Sequence, residues 1–187
     1  MLKKWIVIGV LGASGFGIFA SGVVPNVIVP FYEKIIGKGY KAVEQWAPII
    51  NQYSLEYKVD PNFVSAVLFQ ESKGDPQALS PVNRNGERAV GLMQVLPSTA
   101  KAVCGIYDPN LLFNPDINIH CGTRYIAGLF YKEAQRDYSR TAAMYFGGPN
   151  INIAAASRIT DATGKTVSSY IADVMGHYGY LAEKNKG

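Results

Sequence analysis

The sequence predicts a mostly α (α+β) fold: one helical domain with a small β-hairpin, behind an N-terminal transmembrane helix. Three observations point there. Residues 5–32 hold no charged side chain, which exceeds the ~20 apolar residues a bilayer span needs. From residue 41 onward, apolar positions recur at helical spacing between recognisable starts and stops. The exception is 79–96, where Asn85-Gly86 is a type I′ turn signal before Ala89–Val95, a run suited to an extended arm.

Taken in order, 1–32 reads as a membrane anchor or signal segment. Lys3 and Lys4 precede it, so the positive-inside rule puts the N-terminus in the cytoplasm and the remainder outside. The alternative is a cleaved signal peptide, with Ala20-Ser21-Gly22 as its small-residue site. Residues 33–44, with Gly37, Gly39 and lysines Lys34, Lys38 and Lys41, read as a juxtamembrane linker. The domain proper is 45–187. Expected helices, the first reaching back into the linker, cover 41–57, 61–72, 98–104, 117–136, 139–146, 151–158 and 167–183.

Composition narrows the function. Hydrophobic residues make up 48% and charged residues 17% of the chain, an excess concentrated at its start. A net charge of +4 without a basic-aromatic array argues against nucleic-acid binding. The two cysteines, Cys104 and Cys121, are an even count in an exported chain, which favours a disulfide over two buried thiols. No clustered His/Cys set suggests a metal, and no cofactor motif is present.

One acid stands apart. Asp60-Pro61 is an N-cap followed by proline at the first helical position, and Gly74 ends the helix. Glu71 then shares a face with Leu68, Val67 and Val64, three, four and seven residues earlier. A carboxyl on an apolar stripe is desolvated, its pKa rises, and it becomes fit for general-acid work near neutral pH. The competing reading is a helix-end glutamate turned to solvent or paired with Lys73.

The landmarks that follow are Glu71-Ser72, then Gly91-Leu92-Met93-Gln94, Asn114-Pro115-Asp116-Ile117-Asn118-Ile119 with Gly122 and Tyr125, Tyr145 with Gly148-Pro149, and Thr166 with Tyr170. In that order and spacing, from about Trp46 to about Tyr180, the chain resembles the lytic transglycosylases with the soluble-transglycosylase catalytic domain, within the lysozyme-like superfamily. The resemblance implies a lysozyme-like helical domain whose hairpin walls a glycan cleft. It implies cleavage of the β-1,4 bond between N-acetylmuramic acid and N-acetylglucosamine in peptidoglycan, with a 1,6-anhydromuramoyl product and no cofactor. Glu71 would be the catalytic acid and base. Ser72, Gly91, Met93, Gln94, Tyr145 and Tyr170 would bind or orient substrate. Asn118, Gly122 and Tyr125 would build the central helix, and His120 and His177 would be structural.

Two points complicate that reading. Glycosidases commonly use two carboxylates, and Asp75, Glu87, Asp108 and Asp116 all look like turn residues. Where the family usually has Ala-Tyr-Asn, this chain has Met144-Tyr145-Phe146, so the amide after the tyrosine is lost. The alternatives are a lysozyme-type hydrolase and a weakly catalytic glycan-binding scaffold. The expected partners are peptidoglycan strands, the lipid bilayer through 5–32, and a secretion, conjugation or virion complex. The expected location is the bacterial inner membrane facing the periplasm, or a virion membrane.

Overall fold

The computed structural model describes residues 39–155, 158–161 and 164–186. The expected membrane segment 1–32 and the linker up to residue 38 lie outside the described residues. Among the described residues no helix is long and apolar enough to cross a membrane.

The helical expectation holds, with informative breaks. Residues 39–44 are helical, residues 45–46 turn, and α1 runs Ala47–Tyr57. The continuous helix expected over 41–57 is split by Pro48, whose ring cannot accept the carbonyl of Glu44 into a regular turn. Within the expected linker, the described residues 39–44 join the core: Tyr40 and Val43 are buried, and Tyr40 stacks on Phe69 at 4.3 Å. An aromatic and a β-branched residue at i, i+3 give that segment an apolar face.

Helix α2 runs Pro61–Ser72, and the Asp60 side chain accepts from Asn62 N as predicted. Its stop is tight: Gly74 lies at φ +89°, and a Cβ there would sit 2.6 Å from Ala42 O. Helix α3 is Pro97–Cys104, and α4 is Pro115–Gly128, capped by the Asn114 side chain. The helix expected to reach 136 instead widens to a π-turn over Leu129–Glu133, and the left-handed pair Gln135-Arg136 ends it. Helix α5 is Tyr138–Gly147, and α6 is Val167–Lys184 with a Thr166–Ser169 capping box.

Two expectations are corrected. In place of a helix over 151–158 there is a 3-10 turn at Ile153–Ala155, residues 156–157 being outside the described set. Ile151 and Ile153 alternate and pack with Ile159 around Ala143 and Val167, a period of two that a helix cannot satisfy. The β-hairpin shrinks to isolated bridges, Leu79 with Val90 and Val90 with Val95. Gly86 alone has positive φ at the tip, where Gly86 N bonds Asn83 O and Asn83 N bonds Glu87 O. That is a three-residue loop, not a type I′ turn. Beyond it the chain folds straight back at Gly91, so Ala89–Val95 is a tight turn and not an arm.

The core gathers around α2, which packs most extensively on α6, while α1 lies on α4 and α5 on α6. Cys104 and Cys121 are joined by a disulfide with Cα atoms 5.8 Å apart, tying the end of α3 to α4.

Candidate active site

Glu71 occupies the last turn of α2, directly above fully buried Val64, Val67 and Leu68. The face is apolar because the helix packs on α6, so the carboxyl comes to rest against the core with a partial opening to solvent. Burial pushes its pKa up to about 7. The Tyr170 hydroxyl, then Lys165 and Lys73, pull the other way without cancelling it. It does not turn out to solvent, and no ion pair joins it to Lys73.

Tyr170, in the first turn of α6, donates its hydroxyl directly to Glu71 Oε1. The phenol is buried beside an acid, and both burial and that carboxyl hold its own pKa well above 10, so it acts only as a donor. Tyr145, in α5, donates to Met93 O at 2.7 Å. Burial, then the Glu71 charge, hold its pKa well above 10, and its ring leans on Tyr125. Phe146 packs against Tyr170 with centroids 4.8 Å apart, so an apolar ring stands where the family amide is expected.

The Gly91–Gln94 turn faces these groups. Gly91, at φ +75°, permits close approach, but to the protein itself: a Cβ would lie 2.4 Å from Asn118 Nδ2 and 2.6 Å from Leu112 O. Met93 is fully buried, with its sulfur filling the space above Gly122, so its side chain offers no surface to a sugar here. Its main chain does the local work, N donating to Asn118 Oδ1 and O accepting from the Tyr145 hydroxyl. Gln94 donates from Nε2 to Ala78 O and Gly91 O, which leaves Oε1 as the end that can accept. Ser72 donates to Leu92 O at 2.7 Å and accepts from Gly74 N at 3.1 Å. It therefore bolts the turn to α2 and does not touch the acid.

Asn118 was expected only to build its helix, yet it clamps this turn. Its amide donates to Val90 O and Leu112 O while accepting from Met93 N, all inside the core. A polar residue in the middle of an otherwise apolar helical face was the signal available in the sequence.

The other carboxylates serve the fold. Asp75 and Asp108 cap turns, Glu87 caps the start of α3 at Ser98, and Asp116 accepts from Tyr53. The carboxylate whose charge acts on Glu71 is Asp161, omitted from the sequence candidates, and its effect is the smallest of those acting there. It is exposed and caps a turn at Lys165 N. His120 bonds Tyr57, and His177 lies edge-on to Phe69. Cys104, His120 and Cys121 bring possible metal-ligand atoms within 4.8 Å, but the sulfurs are bonded to each other.

The profile of the family described as the transglycosylase SLT domain matches residues 48–167, more than half of the chain. The chain belongs to that family. It is 29% identical over 133 residues to the membrane-bound lytic murein transglycosylase E of Buchnera aphidicola, spanning 67% of this chain and 59% of that one. It is 36% identical over 110 residues to a transglycosylase of Enterobacteria phage PRD1, spanning 57% and 36%. The 70 kDa soluble lytic transglycosylase of Escherichia coli superposes with a TM-score of 0.59 at 23% identity, over 74% of this chain and 24% of that one. This SLT domain thus has the lysozyme-like fold of that enzyme, and the chain spans less than two thirds of each of these relatives.

In this SLT domain the Tyr170 hydroxyl is the donor that steadies the Glu71 carboxylate. Tyr170→Phe should push the Glu71 pKa further up and, with Glu71 in the acid and base role proposed below, slow the steps that need its anion. A hydrogen bond to a charged group is worth about 1.5–3 kcal/mol, so the loss in kcat should be about tenfold to a hundredfold. Steady-state rates across pH 5–9 check this; an unmoved profile would remove Tyr170 from the machinery.

Proposed function

We propose that this chain is a membrane-associated peptidoglycan lytic transglycosylase that produces 1,6-anhydromuramoyl ends. The observation that carries the reading is a half-buried carboxyl with a pKa near 7, hydrogen-bonded to Tyr170, on which Asp161 has the smallest effect of the groups acting there.

The chemistry follows from that arrangement. Glu71, protonated, gives its proton to the glycosidic oxygen as the C1–O bond of the muramoyl residue breaks. The substrate's acetamido oxygen closes on C1 and supplies the nucleophile that a second carboxylate would otherwise provide. Glu71, now anionic and steadied by Tyr170, removes the proton of the C6 hydroxyl, whose oxygen takes C1 and expels the acetamido oxygen. The acid is restored and no water is consumed. The Phe146 ring beside Tyr170 presents an apolar surface at this corner, which supports ring closure over attack by water.

Association with a membrane rests on the uncharged stretch 5–32 after Lys3-Lys4, together with relatives named as membrane-bound. A local opening in the wall for a secretion, conjugation or virion apparatus is the use such an anchored enzyme fits.

The test is incubation of the full chain with purified peptidoglycan, followed by mass spectrometry of the muropeptides. Products one water lighter, without a reducing end, are expected. Reducing ends would turn the assignment to a hydrolase, and binding without products would leave a scaffold. Because the acid must start protonated, kcat/KM should fall as pH rises through about 7. A rate still climbing at pH 9 contradicts that role.

A further inference from the structure

Glu71 sits in the last turn of α2, and the end of a helix is the part least held by its own hydrogen bonds. Its placement at the Tyr170 hydroxyl therefore depends on what grips that turn from outside. Ser72 is tied to Leu92 O on one side. Residues 39–46 supply a second grip, and they precede residue 48, where the match to the family profile begins.

Two aromatic side chains make this grip. The Trp46 indole N–H donates to Gly74 O at 3.2 Å, just past the end of α2. The chains are in close contact there, since a Cβ on Gly74 would lie 2.6 Å from Ala42 O. Tyr40 stacks on Phe69 with the ring planes only 12° apart, and both side chains are buried. Phe69 precedes Glu71 by two residues, about 200° around the helix, so Tyr40 holds α2 on the side away from the acid.

Tyr40 also rests on α6. Its ring centre lies 5.3 Å from that of Tyr180 and, edge-on, 5.8 Å from that of His177. Nearby, Lys184 at the end of α6 pairs with Glu44 at 2.8 Å. The same helix carries Tyr170, the donor to Glu71. Residues 39–46 thus bridge the two helices whose relative placement sets the bond between acid and phenol.

We propose that residues 39–46 form a positioning clasp, in which Trp46 and Tyr40 hold the last turn of α2 against α6 and so fix Glu71 at the Tyr170 hydroxyl. The inference rests on the acid and base role given to Glu71 in the proposed function. Both residues act through the helix end and not on the substrate.

A double-mutant comparison in the full chain separates positioning from folding alone. Trp46→Phe keeps a ring and removes the indole donor, whereas Tyr40→Leu removes the stack and Tyr40→Phe restores it. Trp46→Phe and Tyr40→Leu should each lower kcat for murein cleavage by about threefold to thirtyfold, less than the ~10²-fold that ~1 Å of misplacement costs. KM should stay within about twofold of native, because substrate contacts are untouched. Tyr40→Phe should recover most of the loss. With Tyr170→Phe already present, Trp46→Phe should cost less than about twofold, since the bond it serves is gone.

Amide exchange reads the clasp without turnover. The Lys73 and Gly74 amides donate to Phe69 O and Ser72 Oγ, and the Asn118 amide donates to Asn114 O in α4. In Trp46→Phe the first two should exchange about tenfold faster while Asn118 keeps its native rate. Native kcat in both single variants, or an equal loss with and without Tyr170→Phe, overturns the proposal. A native chain that cleaves no murein would remove the proposed function instead. Exchange would then decide the clasp by itself, with native rates at Lys73 and Gly74 overturning it.

Discussion

Glu71→Gln is expected to abolish murein cleavage while making the protein more stable above neutral pH. The amide keeps the shape and the oxygen to which Tyr170 donates, but it cannot give or take a proton. General acid and base roles are worth about 10²–10⁴-fold each, so a loss of at least roughly 10³-fold should appear in muropeptide release. The stability gain has the opposite origin. The native carboxyl is raised from 4.5 to about 7, so the folded state holds this proton more tightly than the unfolded chain. This group therefore favours folding in full below about pH 4.5, and its contribution is lost as pH climbs through about 7. Glutamine does not titrate, so the advantage of the variant should grow across that window. At about 1.36 kcal/mol per pKa unit it would reach about 1–3 kcal/mol at pH 8, allowing for the opening to solvent. Urea unfolding at pH 5 and pH 8 measures it. A variant with the same relative stability at both pH values would mean that the carboxyl is not desolvated, and the catalytic assignment would lose its physical basis.

That acid was legible because its cause is local. Asp60-Pro61 and Gly74 fix the ends of α2, helical spacing fixes which neighbours Glu71 shares, and burial of those neighbours fixes its environment. Interactions decided across the fold were not legible. The run Ala89–Val95 has strand-like composition, but Asn118, from a different helix, takes Val90 O and Met93 N and turns the segment back on itself. Met93 reads as a cleft residue in its motif yet is drawn into the core by the gap at Gly122, and no local pattern records that gap. Pro48 is the local sign that the helix expected over 41–57 divides. The effect of Asp161 on Glu71 has no local signature, because it arises only when the turn before α6 packs near the end of α2.

Asn118→Ala should be the most damaging substitution away from the acid itself. The side chain is fully buried and holds three main-chain groups: Val90 O at 2.8 Å, Leu112 O at 2.7 Å and Met93 N at 2.8 Å. Val90 O keeps a second partner in Val95 N, but Leu112 O and Met93 N would be stranded without water. Each stranded group costs about 1–3 kcal/mol, so a loss of about 3–5 kcal/mol is expected. In a domain of this size that lowers Tm by roughly 10 °C. Activity should fall further than stability alone requires, because Met93 O holds the Tyr145 hydroxyl opposite Glu71. Asn118→Asp probes the same point differently: it keeps the acceptor for Met93 N but removes both donors and adds a buried charge, so it should be at least as harmful near neutral pH. Denaturant unfolding and muropeptide assays on folded protein separate the two effects. Native stability and native rates in Asn118→Ala would mean that the Ser72 and Gln94 contacts hold the Gly91–Gln94 turn by themselves. The clamp would then be redundant, and the cleft wall would be set from α2 alone.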